Sequence, residues 1–106
     1  MNMITLLKKT LLNGATTTGA GASVSCERAK GWTFVIEATS VSSGATIDIQ
    51  AEIAGSFFTV HSETITASGS YMVRDDHGHY EKVRANISAR SDGTYSVYAR
   101  GTTHSL

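Results

Sequence analysis

Between Val83 and Arg100, apolar and polar residues alternate on both sides of a three-residue break. Val83, Ala85, Ile87 and Ala89 share one parity, and Lys82, Arg84, Asn86, Ser88 and Arg90 share the other. After Ser91-Asp92-Gly93 the alternation resumes, with Tyr95, Val97 and Ala99 set against Thr94, Ser96, Tyr98 and Arg100. A period of two marks a strand buried on one face. A three-residue loop with Gly93 in a left-handed conformation predicts a hairpin. That hairpin pairs Ala89 with Tyr95, Ile87 with Val97 and Ala85 with Ala99. A slip of one residue would send every side chain to the wrong face. In this register Arg84 and Arg100 are direct cross-strand neighbours on the outer face, extended by Lys82 and Arg90.

The same period recurs upstream. Trp32, Phe34, Ile36 and Ala38 alternate with Thr33, Val35, Glu37 and Thr39, and Ala45, Ile47, Ile49, Ala51 and Ile53 alternate with Thr46, Asp48, Gln50 and Glu52. Shorter strands are predicted at Ser23–Glu27, Phe57–Val60, Ser62–Ala67 and Tyr71–Val73, and the inward parity at Phe57-Phe58 is ambiguous. Turns fall at Val41–Gly44, Ala54-Gly55 and Asp75–Gly78, where glycine and aspartate supply the required dihedrals. Asn13–Gly21, rich in small residues, reads as a mobile connector. Ile4, Leu7 and Leu11 lie at helical spacing, but β-branched and Lys interruptions without a cap rank strand or arm first for residues 1–12.

About eight strands at roughly ten-residue spacing predict an all-β fold. The expectation is an antiparallel β-sandwich, jelly-roll-like, over residues 13–106, preceded by an N-terminal strand or arm at 1–12. Strand order is not written in the periodicity, so jelly-roll and immunoglobulin-like topologies both remain open.

Composition narrows the function classes. The chain has 106 residues and equal numbers of basic and acidic groups, nine each. It lacks the basic excess that usually accompanies nucleic-acid binding. Cys26 is the single cysteine, so no internal disulfide is expected. The opening MNMITLLKKTLL has the wrong charge order and too short an apolar run for a signal peptide, and no segment approaches the roughly 20 apolar residues of a membrane span. A soluble protein of the reducing cytoplasm is expected, with no membrane partner. The sequon Asn86-Ile87-Ser88 sits inside a predicted strand and is discounted. Proline is absent, which leaves strand edges without one of their usual guards.

No residue constellation points to catalysis. Asp75-Asp76-His77-Gly78-His79 has the right residue types for a metal, but zinc needs further ligands that nothing brings near, and a polar turn accounts for the segment. Glu37, Asp48, Glu52 and Glu63 form no recognisable acid–base pair. Trp32 has the inward parity of a core residue. No catalytic, cofactor or metal site is therefore expected. Candidate interface residues are Lys82, Arg84, Arg90, Tyr98 and Arg100 on the basic face, with Leu6 and Leu7 in the N-terminal segment. A basic face of this kind docks onto an acidic protein surface.

Three stretches carry a resemblance: LLNGATTTGAGASVSC (residues 11–26), GWTFVIEAT followed after a turn by TIDIQAEI (31–53), and YEKVRANISARSDGTYSVYARG (80–101). In order and composition the chain resembles small structural proteins of tailed bacteriophages. The resemblance implies a β-sandwich on the virion with no enzymatic activity and no cofactor. Its implied partners are the major capsid protein and copies of itself, with no nucleic acid. A head decoration or cement protein on the capsid exterior, made in the bacterial cytoplasm, is the leading expectation. The alternatives are a neck or tail protein, and a carbohydrate- or receptor-binding module. Open edges would allow strand addition by another chain, and residues 1–12 would serve as an arm.

Overall fold

A computed structural model describes residues 3–25, 31–75 and 80–105. Its strands are β1 (Met3–Ala15), β2 (Gly19–Ala20), β3 (Val24–Ser25), β4 (Gly31–Thr39), β5 (Ala45–Ile53), β6 (Ser56–Ile65), β7 (Gly69–Asp75), β8 (Lys82–Arg90) and β9 (Thr94–Ser105). One sheet has the order β1-β9-β4-β7, and the other has the order β2-β8-β5-β6 with β3 also on β8. All pairings are antiparallel. The pairs are nested: β5 with β6, β4 with β7, β2 and β3 with β8, β1 with β9. A long hairpin folded over on itself gives that nesting, which is the jelly-roll arrangement. Because β2 and β3 are two short pieces on the same strand, the expected eight positions are filled.

The alternating parities became the two inner faces. Trp32, Phe34 and Ile36 of β4, Ile47 and Ile49 of β5, Val83 and Ile87 of β8, and Tyr95 and Val97 of β9 are all essentially inaccessible to solvent. Trp32 and Phe34, two residues apart on one face, stack with centroids 6.0 Å apart. β5 and β6 form a true hairpin through Ala54 (φ 53°) and Gly55 (φ 86°). Positive φ at both central residues is the type I′ turn that suits strand twist.

The expected β8–β9 hairpin does not form. β8 pairs with β5, and β9 pairs with β4 and β1. Ser91-Asp92-Gly93 is an arch that carries the chain from one sheet to the other. Both strands turn their apolar face to the same core, so the apolar match holds without any pairing. Arg84 is consequently opposite Gln50, while Arg100 is opposite Thr33 and Lys8. A bulge at Ser88, between the pairs Ile47–Ile87 and Thr46–Ala89, flips the parity beyond it. Ala89, expected inside, is exposed, and Arg90 moves opposite Ala45, off the outer face of Lys82 and Arg84.

Two further expectations change. Phe57–Val60 and Ser62–Ala67 are one strand, β6, with Val60 as an extra residue between the pairs Gln50–Thr59 and Ile49–His61. The N-terminal strand stays paired with β9 as far as Ala15, through two register shifts, and Gly19-Ala20 pairs with β8, so more than half of the expected connector is strand. Cys26 and the Asp76–His79 part of the metal-type cluster lie outside the described residues.

Candidate docking faces

The arch between β8 and β9 is held by its own carboxylate. Asp92 Oδ1 accepts from the backbone N–H groups of Ser42 (3.0 Å), Ser43 (3.1 Å) and Gly44 (2.9 Å), and its Oδ2 accepts from Ser43 at 2.9 Å. These backbone hydrogen bonds, with Arg90 nearby, hold the Asp92 carboxyl below its ordinary 3.8. The Tyr95 hydroxyl donates to the Asp92 carbonyl at 2.7 Å, and burial pushes its phenol up. Three converging N–H groups make an anion nest. The chain's own aspartate fills it, so it is a clamp that ties the β4–β5 arch to the β8–β9 arch.

The candidate cations divide between the two sheets. Lys82 and Arg84 lie on the outer face of the β2-β8-β5-β6 sheet, where polar groups satisfy one another. The Arg84 guanidinium carbon sits 3.9 Å from the Phe57 ring centroid, and Arg84 Nε donates to Gln50 Oε1 at 2.8 Å. Gln50 Nε2 donates to Thr59 Oγ1 at 3.3 Å, and Ser62 Oγ donates to Asp48 Oδ1 at 2.6 Å. Lys82 is opposite Glu52. Arg90 Nε donates to the Gly93 carbonyl at 3.0 Å. This face presents an internally paired surface.

The outer face of the other sheet is different. Antiparallel register lines its side chains into rows that cross the strands. Thr33 lies between Arg100 and Arg74, Val35 between Tyr98 and Met72, and Glu37 between Ser96 and Ser70. Arg100 is also the Cα partner of Lys8. A depression of about 660 Å³ on this face is lined by Thr33, Val35, Glu37, Tyr98, Ala99 and Arg100. Met72, beside it, is 67% exposed. Tyr98 and Arg100 were expected from the sequence; Thr33, Val35, Glu37 and Met72 were not. Leu6 and Leu7 are the Cα partners of Thr102 and Gly101 on the β1–β9 edge of this sheet.

Among the described residues no group of three or more His, Cys, Asp or Glu converges on one point. His61 Nε2 lies 3.6 Å from Glu63 Oε1 on β6. The buried indole N–H of Trp32 meets no hydrogen-bond partner among the described residues. No helix is long and apolar enough to cross a membrane among the described residues.

The described chain is thus a jelly-roll sandwich with one self-satisfied outer face and one open, partly cationic face. Similar architecture occurs in solved structures. The SPBc2 prophage-derived protein YomS matches with a TM-score of 0.74 and 14% identity, over 95% of this chain and 96% of that one. A chain from the Bacillus endospore appendages, described as a novel family of disulfide-linked pili, matches with a TM-score of 0.53 and 10% identity, over 97% and 87%. At these identities the likeness is one of fold. No family model matches the chain, and no curated protein matches it in sequence.

Proposed function

We propose that this chain is a bacteriophage virion structural protein that decorates or cements the head, binding the major capsid protein from the outside in several copies. The observation that carries the reading is the end-to-end correspondence with the prophage-derived fold, at a TM-score of 0.74 over 95% of this chain and 96% of that one. The phage-like order of its three sequence stretches supports it. On this reading the chain acts through surfaces, without catalysis or cofactor. Bulk electrostatics contribute little at zero net charge, so recognition lies in local charge patterns and shape.

The test is quantitative mass spectrometry of particles of the phage that encodes the chain, expressed as copies per major capsid protein. A ratio of order one is expected. A few to a few dozen copies per particle would move the protein to the neck or tail. Absence from particles would overturn the virion reading.

A further inference from the structure

We infer that the outer face of the β1-β9-β4-β7 sheet binds an extended segment of a partner protein that presents an acidic, an apolar and a basic residue at alternate positions. The inference deepens the decoration reading and rests on it for the partner's identity.

The argument starts from spacing. Neighbouring strands are about 4.8 Å apart, and same-face residues along a strand recur about every 6.8 Å. The rows on this face therefore step at the same interval as alternate side chains of any extended chain laid along β9 and β4. The first row is cationic, with Arg100 and Arg74 on either side of Thr33 and with Lys8 in register with Arg100. The second is apolar, with Tyr98, Val35 and the exposed Met72. The third holds Glu37 between Ser96 and Ser70. A carboxylate over Arg100, an aliphatic or aromatic side chain over Val35 and Tyr98, and a cation over Glu37 complete it in three steps.

Charge supports an occupant. Arg100 is exposed and makes no ion pair among the described residues, so an incoming carboxylate meets a cation that no described acidic group neutralises. The Arg84 guanidinium on the other outer face, by contrast, is already engaged by Gln50 and Phe57.

Other occupants fit less well. A single-stranded nucleic acid uses several stacking rings in a basic groove; this face offers one ring and a carboxylate. A sugar site would place polar hydrogen-bonding groups where Val35 and Met72 stand. A second copy laid on the face as a strand is disfavoured by sequence: no five residues of this chain read acid–x–apolar–x–base (Asp or Glu with Lys or Arg) in either direction.

The experiment pans a displayed library of random linear heptapeptides against the immobilised full chain, and separately measures its co-sedimentation with empty capsids. Enrichment of acid–x–apolar–x–base, in either chain direction, is expected on the wild type. Arg100→Glu should remove the preference for the acid, and Tyr98→Ala should abolish enrichment. Arg100→Gln, without the added negative charge, should give an intermediate result. In co-sedimentation R100E should weaken capsid binding by at least about tenfold, because it sets like charges against each other across the interface. Peptide enrichment that is absent, or indifferent to R100E, overturns the inference. Full-strength capsid binding by both R100E and Y98A overturns it while leaving the decoration reading intact. Motif enrichment without any capsid binding supports the face and overturns the decoration reading.

Discussion

Gly44 passes close against the end of β6 while its N–H and carbonyl hold the β8–β9 arch, and replacing it tests that approach. Its φ is +101°, and a Cβ built there would lie 1.8 Å from the Ile65 carbonyl oxygen and 2.9 Å from the Ile65 carbonyl carbon. Gly55 also has positive φ, +86°, but a Cβ there meets nothing within 4 Å. The two substitutions to alanine therefore share backbone strain and differ in space. Left-handed strain costs an L-residue about 1–2 kcal/mol, which is the whole expected effect of Gly55→Ala. Gly44→Ala adds a methyl group inside contact distance of backbone that cannot rotate away. Overpacking of that kind costs a further 1–3 kcal/mol or so. It also pulls Gly44 from Asp92 Oδ1 and from Ser91 N–H, which donates to the Gly44 carbonyl at 2.8 Å. The strain and overpacking together cost about 2–5 kcal/mol, a large share of the roughly 5–15 kcal/mol of a domain this size. Urea unfolding followed by the fluorescence of Trp32, the chain's single and buried tryptophan, reads the difference. With a slope of about 1–3 kcal/mol/M, the G44A midpoint should fall about 1 M below that of G55A. Midpoints within about 0.3 M of each other would mean that the close approach of Gly44 to the Ile65 backbone is not a constraint.

Two further outcomes follow from the contacts. The Asp92 carboxyl titrates below its unfolded value of 3.8 because backbone N–H groups favour its charged form. Its stabilisation is thus complete above that value and is lost as pH falls below 3.8 through the folded value. Asp92→Asn should lower the melting temperature at pH 7, and the gap to wild type should narrow by pH 3; a gap constant between those pH values contradicts the clamp. On the other face, a double-mutant cycle of Arg84→Ala and Phe57→Ala should give a coupling of about 0.5–1 kcal/mol, the range for a cation over an exposed ring. Additive single effects would show that the 3.9 Å approach contributes no stability.

Period two states which face a residue occupies, and for most of β4 and β5 it did so correctly: Trp32, Phe34, Ile36, Ile47, Ile49 and Ala51 are all buried, while Ile53, on the same parity at the end of β5, is 46% exposed. It does not state which strand lies alongside. Two strands whose apolar faces meet across a core give the same pattern as two that are hydrogen bonded, so the β8–β9 arch reads as a hairpin. Bulges are equally silent. Ser88 and Val60 are polar and apolar residues like their neighbours, yet each shifts register by one, misplacing Ala89 and Arg90 and splitting β6 in two. The candidate site was legible in part for the same reason. Tyr98 and Arg100 have outward parity on one strand. Their companions Val35, Glu37 and Met72 join them only through the order β9-β4-β7, which is a property of the whole chain's closure.

The edges bear on where such a protein makes contacts. A chain without proline lacks one common guard against strand addition, yet each edge carries a guard of another kind. β2 and β3 are two residues long. β7 has seven residues and an exposed Arg74. β1 breaks register twice, between Thr10 and Leu12 and between Leu12 and Ala15. β6 breaks register at Val60, and Glu63, opposite Ile47, places a carboxylate on the core-side face. Short strands, bulges and inward charges are the devices that blunt edge pairing. They leave Phe58, 54% exposed on the core-side parity opposite Ala51, without a flat strand beside it to continue the sheet. On the proposed reading, with edge pairing discouraged and Arg84 engaged on the other outer face, specific recognition falls to the face of Arg100, Tyr98, Val35 and Glu37. A face reads side chains, whereas an edge reads mainly backbone. Binding through this face should therefore be sensitive to single charge reversals in a way that strand addition is not.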